Sequence, residues 1–568
     1  MNWKLAVLGA VFIGCQSSPE SSFRNLNKAF ISWYFKYHPV ESTRYGMNDN
    51  NGNFREISIS GREEYSADIS RFLIELSQID ATKISPEARI DYNILYSKLE
   101  QVKLIVEVIK PWEWNPLWTL DEIITGFYIL SEREQINMDD RVEAVQSRLV
   151  HLPQQLNNSK EMLTAYSMLH TQHSREKIEK LIHLLQQLPL KLNSDNMTLD
   201  KIDRLIKKAI SALISYRDWL TDDLTAMEVI NIPVSLQLIE KGFTIYTGGK
   251  YIPAAVYKLA EKKLIPSQNR LFHLSLPFYL EENDEPVWLD RDDTLEVIQW
   301  TIENMRVDLS SAVPNDKVLS TYYESLTNLE RFIYNHSLFP EKINKTIQLE
   351  FAPEYSFSNA PVFLFNHHPK DFTTAAVYSI IAAGDIVENY KLSRKEIDLI
   401  NAKLIIPGSG VQIAYAQRYP STIRYIFPDP VTSAGWKAYA AAMLLDSGFG
   451  DWDEEYRILK LKEEIAIISN AIVEGSYYSG DLSRSDANKF YRNNAFMNER
   501  EAEIVQLETD FNYFSGTQSF IGMMELKSLL AAFKKRMGED FQISEFHRII
   551  LQDGIIPLHE LKKKVFSL

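Results

Sequence analysis

A hydrolytic metal site needs two or three nitrogen or carboxylate ligands on a rigid element and a further carboxylate to activate water. The histidines that stand near other histidines or near glutamate are therefore the first residues to weigh. His170 and His173 lie three apart, and Glu176 and Glu179 extend the spacing, so one side of a helix would carry all four. Their setting, "HTQHSREKIEK", is polar throughout, and a solvated helix face accounts for it better than a metal site does. His367 and His368 are adjacent in "FNHHPKDF"; in an extended segment they point to opposite sides, which argues against a shared ion. His559-Glu560 precedes "LKKK" and reads as a solvated helix face, and no H-E-x-x-H occurs in the chain. Cys15 is the only cysteine, which leaves no internal disulfide and no catalytic thiol in the body of the protein. The stretch Pro407-Gly408-Ser409-Gly410 lacks the spacing of a G-x-S-x-G nucleophile elbow, and there is no phosphate loop or dinucleotide fingerprint. Asp429 and Asp446 are further carboxylates for an alternative hydrolytic centre, without a recognisable triad around them.

The elements that must position these residues are mostly helices. Apolar residues recur at i, i+3, i+4, i+7 through 62–79, 88–109, 139–156, 174–192 and 199–224, and again through 463–475, 484–494, 499–514, 523–538 and 544–554. Ser85-Pro86-Glu87 and Thr198-Leu199-Asp200 look like helix starts. Strand signals are few: "TIQLEFAP" and "APVFLFN" are rich in β-formers between turn residues and predict a small hairpin. The expected fold class is therefore mainly α, one large multi-helix domain with a few short β-strands, divided at most into two lobes near 245–350. Pro407-Gly408 interrupts the helical pattern in the most hydrophobic central region, where a helix breaker needs a reason.

Composition narrows the function classes. The 568 residues include 45% hydrophobic and 24% charged residues, enough for a large core. A balance of 61 Lys+Arg against 76 Asp+Glu leaves a net charge of −15 with no long basic run, so nucleic acid is not an expected partner. At the N-terminus Lys4 precedes "LAVLGAVFI", an apolar stretch too short to span a bilayer, which ends at Gly14-Cys15. This pattern resembles a bacterial lipobox. It implies a signal peptide over 1–14, a lipidated Cys15 with a flexible tether to residue 24, and a helical domain over 25–568. Gln16 after the cysteine favours the outer membrane, facing the periplasm or the cell surface.

Longer motifs carry a resemblance to the bacterial domain-of-unknown-function family 885, which is grouped with zinc metallopeptidases of the thermolysin-like clan. "YHPVESTRYGMNDNNG", "WEWNPLW", "NYFSGTQSFIGMMEL" and "DGIIPLHEL" are similar to its opening, aromatic-Asn-Pro and terminal blocks. The family's H-E-x-x-P-G-H-H-x-Q falls in register on 403–412, and its E-G-W-x-x-Y-A-E on 434–441. Pro407, Gly408, Gln412, Gly435, Trp436, Tyr439 and Ala440 match. The positions that the resemblance marks for chemistry do not: Lys403 and Leu404 replace the first His and the water-activating Glu, Ser409 and Gly410 the tandem His, and Ala434 and Ala441 the downstream acids. Lys, Leu, Ser, Gly and Ala supply none of the donors zinc requires, so the resemblance implies a metallopeptidase-like shell without catalytic residues, metal or other cofactor. Gln412, Trp436, Tyr439 and Tyr513 are its candidate cleft-lining residues. The expected partners are the membrane through Cys15, proteins of the cell envelope in an outer-membrane complex, and peptide segments.

Overall fold

The computed structural model describes residues 18–132, 136–192, 194–230, 238–283, 291–307, 313–341, 346–353, 355, 362–364, 376–380 and 392–567; Cys15 and the His367-His368 pair lie outside them. The described residues are mainly helical, as expected. Numbering the helices of nine residues or more, the first three are α1 (Pro19–Tyr37), α2 (Ile59–Ser77) and α3 (Pro86–Leu104). Helix α1 starts inside the expected tether: the Ser18 hydroxyl accepts from the Ser21 amide at 3.2 Å, Pro19 occupies the first turn, and Phe23 is already in the core. Residues 19–24 are thus helix rather than tether.

Four helices that pack on one another follow, α4 (Pro116–Glu132), α5 (Met138–Met162), α6 (Met168–Lys191) and α7 (Asn196–Asp222), and bury their apolar stripes chiefly against one another. The cap of α7 is Asp195, whose carboxylate accepts from the Thr198 amide at 3.0 Å and the Thr198 hydroxyl at 2.7 Å, so the predicted start at Thr198 moves back three residues. A two-residue parallel pairing of 165–166 with 228–229 closes this group. Helices α8 (Pro253–Glu282), α9 (Arg291–Val307) and α10 (Val318–Asn335) then return to the core that α1 to α3 began. The division into two cores therefore falls around 116–224, not near 245–350. Residues 243–339 send Phe243, Leu271, Ile298 and Leu329 into the first core, whereas α4 to α7 satisfy their own stripes.

Strands β1 (Ile347–Phe351), β2 (Val362–Leu364) and β3 (Ala376–Ile380) form a sheet in the order β1-β3-β2. β1 runs parallel to β3, with Ile347 opposite Ala376, and β2 antiparallel to it, with Val362 opposite Ile380. The expected hairpin of β1 with β2 is not formed, because β3 inserts between them. β3 is the central strand and is buried along most of its length, so it lacks the polar alternation by which an exposed-face strand is recognised.

The remaining helices are α11 (Arg394–Leu404), α12 (Ser409–Arg418), α13 (Pro430–Asp446), α14 (Glu454–Ser479), α15 (Arg484–Ala495), α16 (Glu499–Phe511), α17 (Ser515–Met537), α18 (Ile543–Leu551) and α19 (Leu558–Ser567). Capping boxes set the starts of α11 (Ser393 with Glu396) and α16 (Asn498 with Glu501). Helices α13 and α17 cross at Gly435 and Gly522, where a Cβ on either residue would strike the backbone of the other.

Candidate functional site

The Pro-Gly interruption separates α11 from α12. Ile405 leaves helical geometry, a cis Ile406–Pro407 bond follows, and α12 resumes at Ser409. Gly408 is required here, because a Cβ would overlap the Lys403 carbonyl. Trp436 holds the turn: its indole N–H is shared between the Pro407 and Gly408 carbonyl oxygens at 3.0 and 3.1 Å, and its ring is fully buried. The neighbouring Tyr439 hydroxyl bonds His547 Nε2 at 2.7 Å, and His547 Nδ1 lies 2.6 Å from the Leu338 carbonyl. Nδ1 must donate to that carbonyl, so Nε2 accepts from Tyr439. Burial lowers His547 to about 4, which keeps the ring neutral. Gln412 is also buried; its amide nitrogen reaches the Thr432 carbonyl at 3.5 Å and its oxygen has no partner among the described residues. Tyr513 packs half-buried beside Tyr478 and the Leu104–Trp114 cluster, and burial raises its phenol.

A cleft of 520 Å³ lies between α11, α13, α14, α16 and α17. Lys403 and Ala441 line it; Leu404, Ser409, Gly410 and Ala434 do not, and neither do Gln412, Trp436, Tyr439 or Tyr513. The expectation that those last four line the cleft is corrected by helix geometry. On α13 the cleft face is Ala438, Ala441, Ala442 and Leu445, at i, i+3, i+4 and i+7, and Trp436 and Tyr439 point to the opposite side, into the core. A stripe of small residues was the available signal, and it is easily passed over beside larger aromatic neighbours.

Charged groups stand at the rim and are matched. Lys403 Nζ meets Glu463 at 2.8 Å, Lys462 meets Glu501 at 2.9 Å, Lys527 meets Glu464 at 2.6 Å, and Lys460 pairs with Asp446. Burial works against ionisation of Glu464, yet Lys527 and Arg270 outweigh it and leave the carboxyl below its ordinary range. Gly410 stands where a Cβ would run into the Tyr378 hydroxyl and the Ile405 carbonyl, so the space a larger side chain would need is taken.

The other candidates disperse. His170 is buried rather than solvated, bonded through Nδ1 to the Ser167 hydroxyl at 2.9 Å and packed between Trp114 and Phe511; burial lowers it to about 3. His173 pairs with Glu176 at 3.1 Å. Glu560 is also buried, held by His559 and Lys563 and by the Asn93 amide, and His559 with Lys563 brings it to about 2 against the opposing effect of burial. Asp429 caps α13 and Asp446 ends it, roughly 25 Å apart along the helix at 1.5 Å per residue, so the two carboxylates cannot act together. Among the described residues, no three or more His, Cys, Asp or Glu side chains gather as a metal site.

This architecture, a single chain of packed helices with a small mixed sheet beside a helix-lined cleft, defines a large multi-helix protein. The chain belongs to the family of bacterial proteins of unknown function DUF885, whose profile matches residues 39–565. Two solved structures share the fold, each described as a putative lipoprotein. That from Shewanella oneidensis, also described as of unknown function, is 18% identical with a TM-score of 0.79, covering 96% of this chain and 99% of its own. That from Colwellia psychrerythraea is 12% identical with a TM-score of 0.80, covering 97% and 99%. Comparison with the curated proteins found no match. No helix among the described residues is long and apolar enough to cross a membrane.

Proposed function

We propose that this protein is a lipid-anchored component of the cell envelope, held at the outer membrane through Cys15, in which a metallopeptidase-like shell serves as a non-catalytic binding or scaffolding subunit. The observation that carries the reading is the fate of position 403. In the register of the resemblance this is the first ligand of a zinc site, and here it is a lysine on the cleft rim committed to Glu463. An ammonium in that place repels a dication and cannot ligate one while protonated. Gly410 adds to this, since the Tyr378 hydroxyl occupies the room a histidine there would need. The cleft that Lys403 and Ala441 line has an apolar floor and a matched rim, which suits holding a ligand better than activating water. The lipobox-like Gly14-Cys15 and the lipoprotein descriptions of the two structural neighbours support the anchoring.

The purified protein should contain no stoichiometric zinc and cleave none of a mixed peptide library, with or without chelator, and the Lys403→His, Leu404→Glu double variant should stay equally inactive. Stoichiometric zinc together with chelator-sensitive cleavage would remove the proposal. For anchoring, Cys15→Ala should shift the protein out of the membrane fraction, and retention there at the unaltered level would count against the lipid.

A further inference from the structure

We infer that the cleft between α13, α14, α16 and α17 holds the alkyl chain of a single-chain amphiphile, with the head group at the open mouth; this rests on the non-catalytic reading above. Three observations select that occupant. The first is the floor, where Ala438, Ala441, Leu445, Ile467, Val505 and Met523 present carbon over most of the wall. Apolar surface of this kind is recognised by what it removes from water, without directional demands.

The second is that few uncharged polar atoms along the walls have bonds to offer. The side-chain oxygen of Asn470 already accepts from the Tyr491 hydroxyl at 2.9 Å and the Thr509 hydroxyl at 3.2 Å, which leaves its amide N–H groups. The Ser519 hydroxyl donates to the Ser515 carbonyl at 2.9 Å. The Tyr322 hydroxyl is buried and without a partner among the described residues, so it is one group that could still bond an occupant. An extended peptide brings one N–H and one C=O per residue and would leave most of them unsatisfied against this floor. A helix satisfies its own backbone, but at 10–12 Å across it fills about 500 Å³ per turn. The cleft of 520 Å³ would thus seat a single turn. An alkyl chain has neither problem: it carries no polar group into the floor and is narrow enough to lie along it.

The third is the rim. Lys403, Lys460, Lys462 and Lys527 are each paired with a carboxylate, so the mouth presents matched charge rather than an excess of either sign. Binding should then follow chain length and be nearly indifferent to head-group charge. This is unlike a site built around a fixed cation, where an anionic head group is required.

Every described residue of the fold lies at or after Ser18, so the chain from residue 16 onward carries both cores. It would be titrated with the fluorescent polyene fatty acid parinaric acid, and the bound probe displaced with competitors. Hexadecanoic acid and 1-monohexadecanoylglycerol should displace it with affinities within about threefold of each other, and octanoic acid should be at least tenfold weaker, as the loss of buried methylenes requires. Ala438→Trp and Ala442→Trp, both at partly exposed positions on the floor, should each weaken the probe at least tenfold with an unchanged circular dichroism spectrum. Ile59→Trp, on an exposed position outside the cleft, should leave binding unaltered.

The comparison of chain length and head group uses the unaltered protein and stands even if a variant misfolds. No saturable probe binding, equal displacement by octanoic and hexadecanoic acids, or displacement by a peptide but not by hexadecanoic acid would each overturn the inference. Such a failure in a protein that cleaves no peptide leaves the scaffold reading intact, whereas peptide cleavage overturns that reading directly.

Discussion

Glu474 is a fully buried carboxylate on α14 aimed at the start of α17, where it accepts from the Gly516 amide at 3.3 Å and the Thr517 amide at 2.6 Å. Burial raises it to about 7, against the opposing effect of those donors. Its ordinary value is 4.5, so the folded protein holds the proton more tightly than the unfolded chain. The stability it contributes is present below pH 4.5 and is lost as pH rises towards 7, by about 3 kcal/mol for a shift of this size. Glu474→Gln removes the ionisation, but its single oxygen can serve only one of the two amides, which meet different carboxylate oxygens, so the variant loses some stability at every pH. Between pH 4.5 and pH 8 its urea midpoint should fall less than that of the unaltered protein; an equal fall would show that Glu474 does not titrate in this range. The buried histidines work in the other direction. His547 at about 4 resists protonation in the folded state, so its contribution is lost as pH falls from 6.5 through 4. Tyr439→Phe strands the His547 Nε2 acceptor and should lower stability at pH 7 by about 1–3 kcal/mol, read from the denaturation midpoint. Neither residue was legible as structural from the sequence. Tyr439 stood out as a matching aromatic and a candidate for the cleft wall, and its partner is 108 residues further along the chain.

At the scale of elements, helices were readable because each carries its own apolar stripe, and the Pro407-Gly408 break was readable because those two residue types oppose helix locally. The sheet was not. β1 and β3 are parallel and separated in sequence, and parallel pairing leaves no turn signature by which to match partners. The cleft face of α13 was missed for a related reason: alanines at i, i+3 and i+4 have little to distinguish a wall from packed core. The placement of this wall can be tested through the α13–α17 crossing, where Gly435 stands three residues before Ala438. The Gly435–Gly522 approach is backbone against backbone, so no rotamer change can relieve an added methyl group. Gly435→Ala should therefore destabilise by about 3 kcal/mol or more, at or beyond the upper range for an overpacked core. Trp436→Phe keeps an aromatic ring, though a smaller one, and removes the donor to two buried carbonyls; it should lower stability by at least about 1–3 kcal/mol, read from the denaturation midpoint. If Gly435→Ala melts with the unaltered protein, the two helices can separate at that point and the crossing does not fix the cleft wall.

Over the whole molecule, remote parts of the chain are joined at Arg424, a fully buried guanidinium just after α12. Its Nε lies 2.5 Å from Asp91 on α3, and its terminal nitrogens donate to the Glu87 carbonyl at 2.9 Å and to the Asp553 carbonyl ahead of α19, also at 2.9 Å. Lys564 on α19 pairs with Asp553 at 2.5 Å, so the last helix is fastened to the same point. One side chain thus ties the third helix, the segment after the Pro-Gly turn and the C-terminal helix. The planar five-donor fork of arginine fits three acceptors in fixed directions, which a lysine cannot do. Arg424→Ala leaves Asp91 with the Ser421 hydroxyl as its remaining bond and both carbonyls without this donor, and should destabilise by about 3–5 kcal/mol. Much of that loss is the stranded carboxylate rather than the pair itself. The Arg424→Met, Asp91→Leu double variant should therefore recover at least half of the lost stability in urea denaturation. A double variant as unstable as Arg424→Ala would mean that the two backbone acceptors, and not the ion pair, account for the joint. In that case, hydrogen exchange should rise at residues 553–567 in both variants, because α19 would have lost its attachment to the first core.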